Sequence, residues 1–94
     1  MAMPHRLQTA KARAVGTRQT MRALEKGIAE VVFVAQDAEE RVTRPVLELA
    51  RRRGIPCVPV ATMSELGKHC NINVGAATAA ILRSELPRRA TASG

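Results

Sequence analysis

One stretch, Glu30-Val-Val-Phe-Val-Ala35, constrains this chain's fold more than any other segment. Its apolar residues follow one another without alternating, and all but the last are β-branched or aromatic. A strand with one face in water alternates apolar and polar residues. An unbroken run of this kind predicts a strand covered on both faces. Helices on either side of a sheet supply such a cover, and the flanking segments have helical spacing.

Residues 4–13 read as a short helix, with Pro4 at its start and Leu7, Ala10 and Ala14 at helical spacing. Val15 reads as a very short strand. Gly16-Thr17 is a break, with Thr17 as the N-cap of a helix running to Lys26 and closed by Gly27. Met21, Leu24 and Ile28 mark its inner face, and Arg18, Arg22 and Lys26 its outer one. A polar, acidic connection over residues 36–41 leads to a helix over residues 43–53. There Pro45 fits the first turn, Val42, Val46, Leu49 and Ala50 face inward, and Gly54 ends the element. Arg51, Arg52 and Arg53 crowd its last turn, where the helix dipole favours cations.

Cys57-Val-Pro-Val60 is a short strand that Pro59 assigns to an edge. Thr62-Met-Ser-Glu65 is a capping box opening another helix, with Met63, Leu66 and Cys70 inward and Asn71 ending it in the left-handed conformation. Asn73-Val74-Gly75 is a loop, and residues 76–82 form a last strand of small side chains, on which a helix can pack closely. The expectation is a three-layer α/β/α sandwich around one small mixed four-stranded sheet. It forms a single domain over residues 1–83, followed by a loose basic tail over residues 84–94.

The charge is uneven along the chain. Residues 1–27 hold six Arg and Lys against one Glu, residues 28–60 balance at five of each sign, and residues 61–94 hold four basic and two acidic groups. A positive field focused on the first third points to a polyanion as partner. Phe33 is the only aromatic residue, which excludes recognition by rows of stacking rings. No apolar run approaches the roughly 18 residues that a bilayer span needs, and the N-terminal segment lacks a signal-peptide core.

Catalysis finds no support in the pattern. His5 and His69 join no triad or ligand spacing, and Asp37, Glu39 and Glu40 read as a solvated acidic loop. Cys57 and Cys70 are too few for a zinc site and read as buried free thiols, compatible with a reducing cytoplasm. No metal or cofactor is expected.

The informative segment is Gly16-Thr-Arg-Gln-Thr-Met-Arg22. A helix N-terminus there would present unpaired N–H groups and partial positive charge, with Thr17, Arg18 and Gln19 in reach of base edges and Arg22 one turn behind to hold a phosphate. On spacing alone, an ordinary capped surface helix fits equally well.

The same residues carry a resemblance. Gly16-Thr-Arg-Gln-Thr20, Ala23-Leu-Glu-Lys-Gly27, the strand from Glu30 to Ala38, Gly54-Ile-Pro56, Leu66-Gly-Lys68 and Val74-Gly-Ala-Ala77 occur in the order seen in the ribosomal protein L-seven-Ae family. The chain is similar in particular to that family's small bacterial YbxF-type paralogues. The resemblance covers roughly residues 5–83. It implies a non-enzymatic protein that binds kink-turn RNA, in which a bulge bends the duplex beside tandem sheared G·A pairs. By position, Gly16, Thr17, Arg18, Gln19 and Arg22 would face those pairs. Ile72, Asn73, Val74, Gly75 and Ala76, before the last strand, would meet the bulged nucleotides, and Lys11 and Lys26 would add phosphate contacts. Gln19 stands where archaeal members often have Glu, and Arg18 where they often have Asn. The implied partner is a structured RNA, ribosomal RNA or an mRNA leader, bound by a cytoplasmic, ribosome-associated monomer. Two other readings compete: a substrate-RNA-binding fragment related to accessory domains of RNA methyltransferases, and a protein-interaction scaffold.

Overall fold

A computed structural model describes residues 12–83. Its elements are β1 (Arg13–Val15), α1 (Thr17–Lys26), β2 (Ala29–Ala35), α2 (Glu40–Arg52), β3 (Cys57–Val60), α3 (Met63–His69) and β4 (Thr78–Leu82). The four strands form one sheet in the order β1-β4-β2-β3. β4 pairs antiparallel with both β1 and β2, while β3 runs parallel to β2, so the sheet is mixed.

The unbroken apolar run of β2 is explained by two cores, one on each face. Val31, Phe33 and Ala35 pack with Leu66 and Cys70 of the α3 side. Ala29, Val32 and Val34 pack with Leu24 of α1 and with Val46 and Ala50 of α2. Ala29 falls out of step because the pairing with β4 is irregular between Ala29 and Val31, and from Val31 to Ala35 the two sets alternate with the side-chain period of two. β4 does the same with small residues, Ala79 and Ile81 against one core and Ala80 and Leu82 against the other.

All three helices end on one device. Gly27, Gly54 and Asn71 adopt positive φ, and in each case an isoleucine follows. The N–H groups of Ile28, Ile55 and Ile72 donate to the carbonyls of Ala23, Ala50 and Gly67 at 3.1, 2.9 and 3.1 Å. This Schellman closure satisfies carbonyls that a helix end otherwise leaves unpaired. The C-terminal end of α1 also receives two distant cations. Arg53 Nη2 donates to the Glu25 carbonyl at 3.2 Å, and Arg83 Nη1 donates to the Gly27 carbonyl at 3.4 Å.

Several expectations are corrected. Of the helix expected over residues 4–13, Ala12 and Arg13 are not helical. The Ala12 carbonyl accepts from Leu82 N–H at 3.0 Å, and Arg13 belongs to β1. The rest of that segment, with Pro4, His5, Leu7, Ala10 and Lys11, lies outside the described residues, as does the tail over 84–94. The structure contains three described helices. α2 begins at Glu40 rather than Thr43, which places Pro45 in its second turn. The bond that Pro45 cannot donate would go to the carbonyl of Arg41, and both residues lie on the exposed side of the helix, where a missing backbone bond costs least. Ile28 is not on the inner face of α1; it follows the helix and is 39% exposed. Thr20, Ala23 and Leu24 are the buried set. Cys70 is buried as expected, but Cys57 is exposed on the edge strand β3. β4 begins at Thr78, since Ala76 and Ala77 still belong to the approach loop.

Thr20 is buried completely, and its Oγ1 has no hydrogen-bond partner. A buried hydroxyl left unpaired costs about 1 kcal/mol or more, and an apolar group of the same shape avoids that cost. Thr20→Val is therefore expected to raise the melting temperature by roughly 4–8 °C. An unchanged or lower melting temperature in a thermal scan would show that the hydroxyl is satisfied.

Candidate nucleic-acid interface

The N-terminus of α1 is built on a glycine. Gly16 is the N-cap, at φ 98° and ψ 158°, a region essentially closed to residues with a Cβ. The expectation that Thr17 caps the helix is thereby corrected: Thr17 is the first helical residue, and no side chain caps the helix. The turn is fixed to the sheet instead. Gly16 N–H donates to the Thr78 carbonyl at 2.9 Å, and Gly16's own carbonyl accepts from Thr20 N–H at 2.9 Å.

The electrostatics of the three helix starts differ. At α3, the Thr62 hydroxyl accepts from Glu65 N–H at 3.0 Å and Asp37 Oδ1 accepts from Met63 N–H at 2.8 Å. Asp37 is thus not a merely solvated member of an acidic loop; it closes a helix end. α2 carries Glu40 in its first turn and α3 carries Glu65. α1 has no acidic residue in its first turn and no side-chain cap. Of the described helices, it alone leaves its partial positive charge without a carboxylate. Arg18 and Gln19 are exposed beside it, Thr17 is half-buried, and Arg22 stands exposed one turn on.

The second segment lies beside the first in the fold, because Thr78, which holds Gly16, follows the loop by two residues. That loop is seated on α3. A Cβ at Gly67 would overlap the Val74 carbonyl oxygen and come within 3.1 Å of its carbon, and a Cβ at Gly75 would lie 3.1 Å from Met63 Cβ. Ala76 N–H donates to the Met63 carbonyl at 3.1 Å. The loop divides into two roles. Ile72 packs, partly buried, against one core and Ala76 is buried within it. Asn73, Val74 and Gly75 are exposed, Val74 by 69%, a high value for a large apolar side chain.

Lys26 stands apart from this convergence. It is in the last turn of α1, about 12 Å along the axis from Arg18 at 1.5 Å per residue. It does line a groove of about 440 Å³ between α1 and β1, together with Arg13, Gln19 and Arg22. Arg13 was missed by sequence reasoning, because a strand register rather than a helix places it there. Lys11 lies outside the described residues. Sequence reasoning also missed Thr78 and Gly67, whose parts depend on contacts distant in sequence. Among the described residues, no group of three His, Cys, Asp or Glu is arranged to hold a metal ion, and no helix is long and apolar enough to cross a membrane.

Comparison with known proteins agrees with this picture. Residues 2–89 match the sequence profile described as Ribosomal protein L7Ae/L30e/S12e/Gadd45 family. An RNA-binding protein of Geobacillus sp. strain WCH70 is 48% identical over 69 residues, covering 73% of this chain and 84% of the relative. The RNA-binding protein YbxF of Geobacillus stearothermophilus is 46% identical over 69 residues, with the same coverage of 73% and 84%. The large ribosomal subunit protein eL8 of Halobacterium salinarum is 43% identical over 68 residues, covering 71% of this chain and 57% of that protein. Among solved structures, a 15.5 kD RNA-binding protein of Giardia lamblia superposes with a TM-score of 0.77 at 22% identity, covering 96% of this chain and 76% of the other. At that identity the likeness establishes a shared fold.

Proposed function

The chain belongs to the Ribosomal protein L7Ae/L30e/S12e/Gadd45 family, and from that premise we propose that it binds kink-turn RNA, as a binding protein and not an enzyme. The observation that carries the proposal is the start of α1, where the first turn has neither a side-chain cap nor a carboxylate and is flanked by exposed Arg18, Gln19 and Arg22. Such an end offers N–H donors and positive charge to phosphates and to the acceptor edges of purines. The names of the relatives in Geobacillus, all RNA-binding proteins, support RNA as the polyanion.

In this reading Gly16 allows a nucleic-acid backbone to approach closely, and Thr17, Arg18 and Gln19 face the sheared G·A pairs. Arg22 and Lys26 hold phosphates along the α1 groove, and Lys11, outside the described residues, is a further phosphate contact in this reading. Asn73, Val74 and Gly75 cover the bulged nucleotides, carried by the partly buried Ile72 and the buried Ala76. A Gln amide both donates and accepts, whereas a Glu carboxylate only accepts, so Gln19 widens the set of base edges that this position can meet. The protein acts as a monomer in the cytoplasm, on ribosomal RNA or an mRNA leader.

The test is a titration of the protein with a short kink-turn RNA and with the same RNA carrying Watson–Crick pairs in place of its G·A pairs. Two altered pairs at roughly 1–3 kcal/mol each predict a preference of about 30-fold or more for the kink-turn. Equal binding to both RNAs sinks the reading.

A further inference from the structure

We propose that Thr78 is a positioning residue for RNA recognition, acting through Thr17; the role rests on the kink-turn reading given above. Thr78 is the first residue of β4 and fully buried. Its register against Val34 of β2 fixes it in the sheet. From that fixed point it makes two contacts with the start of α1. Its carbonyl accepts from Gly16 N–H at 2.9 Å, and its Oγ1 donates to Thr17 Oγ1 at 3.5 Å. Two residues before it, the loop ends at Ala76. The two segments proposed to face RNA are thus joined at one residue inside the core.

The hydroxyl does more than fill space. A threonine hydroxyl has one proton to donate and two lone pairs to accept with. When Thr17 Oγ1 accepts from the buried side, its own proton is directed away from the core, toward the exposed first turn. Thr17 is then held as an outward donor, matched to a purine acceptor of the sheared G·A pairs. Without the Thr78 hydroxyl the Thr17 rotamer is released, and the donor can turn back onto the helix backbone. The Gly16 anchor survives that change, because it uses the Thr78 carbonyl.

The contact is long for a hydroxyl pair, so its effect is that of one modest hydrogen bond. Thr78→Val keeps the shape and removes the hydroxyl, whereas Thr78→Ser keeps the hydroxyl. Thr78→Val is expected to weaken kink-turn binding about fivefold, with the melting temperature maintained, binding to the G·A-replaced RNA unchanged and the salt slope unchanged. Thr78→Ser should bind within twofold of the wild type, the margin set by ordinary scatter in such cycles. Thr17→Val should lose about as much as Thr78→Val, and the double variant no more than either, because both act through one donor. A Thr78→Val protein that binds like the wild type, or losses that add in the double variant, overturns the role of Thr78 alone. A Thr78→Val protein that melts lower and binds both RNAs more weakly to the same extent shows a structural role instead. A wild type that does not distinguish the two RNAs overturns the kink-turn reading, and this role with it.

Discussion

Gly67→Ala is expected to destabilise the protein by about 3 kcal/mol and to lower its melting temperature by roughly 12–24 °C. The expectation is opposite in sign to what helix propensity alone gives. Gly67 lies inside α3, and at a free helical position alanine is favoured over glycine by about 1 kcal/mol. Here the added methyl would overlap the carbonyl oxygen of Val74 and lie 3.3 Å from Gly75 Cα. These are backbone atoms, which cannot rotate away as a side-chain end can. Either α3 lifts from the sheet, exposing Leu66 and Cys70, or the loop over 72–76 moves outward. Both routes displace Val74 and Gly75, so kink-turn affinity should fall at least about tenfold with stability. Gly54→Ala serves as the comparison. It has positive φ but open space around the added Cβ, and should cost about 1 kcal/mol of conformational strain with no loss of affinity. A Gly67→Ala protein as stable as the wild type would mean that the loop does not rest on α3.

That contrast marks the boundary of what the sequence discloses. Signals that act over one or two turns are legible. The unbroken run in β2 announces helices on both faces, Thr62 and Glu65 announce the start of α3, and Gly27, Gly54 and Asn71 announce three helix ends. Pro59 is consistent with its edge strand. Starts without a local signal are less legible. α2 has no side-chain cap, and the habit of placing proline in a first turn moved its apparent start three residues along. The start of α1 misled for a related reason. Thr17 is a good N-cap by composition, but a hydrogen bond from Gly16 to the distant Thr78 fixes the chain one residue earlier. Positions whose meaning is entirely tertiary are not legible in a single chain. Gly67 looks like a weak helix residue, Thr78 like a minor strand residue, and Arg13 like part of a helix, until the sheet register and the loop are known. The loop over 72–76, which the pattern alone offers only as a turn, entered the proposed site through the family resemblance and not through any local signal.

The sharpest functional consequence is a division of labour along α1. In the proposed kink-turn reading, Arg18 and Gln19, exposed in its first turn, meet base edges, while Arg22 stands about 6 Å beyond Arg18 along the axis at 1.5 Å per residue. Arg18→Ala and Gln19→Ala should each reduce the preference for kink-turn RNA over its G·A-replaced form by about tenfold or more, the scale of a good base contact. Residual binding should remain and stay steeply salt-dependent. Arg18→Lys should not restore the preference, because an ammonium cannot present the two parallel donors of a guanidinium. Arg22→Ala should weaken both RNAs alike and lower the slope of log affinity against log salt by about 1, the signature of one phosphate contact. Titrations of both RNAs at three or more salt concentrations separate these outcomes. If Arg18→Ala behaves as Arg22→Ala does, Arg18 holds a phosphate and guanine reading falls to Gln19. If all three variants weaken both RNAs equally, the start of α1 is a basic surface without base recognition. The uncapped, carboxylate-free first turn would then account for attraction to RNA in general, and the source of any preference would have to lie in the loop that carries Val74.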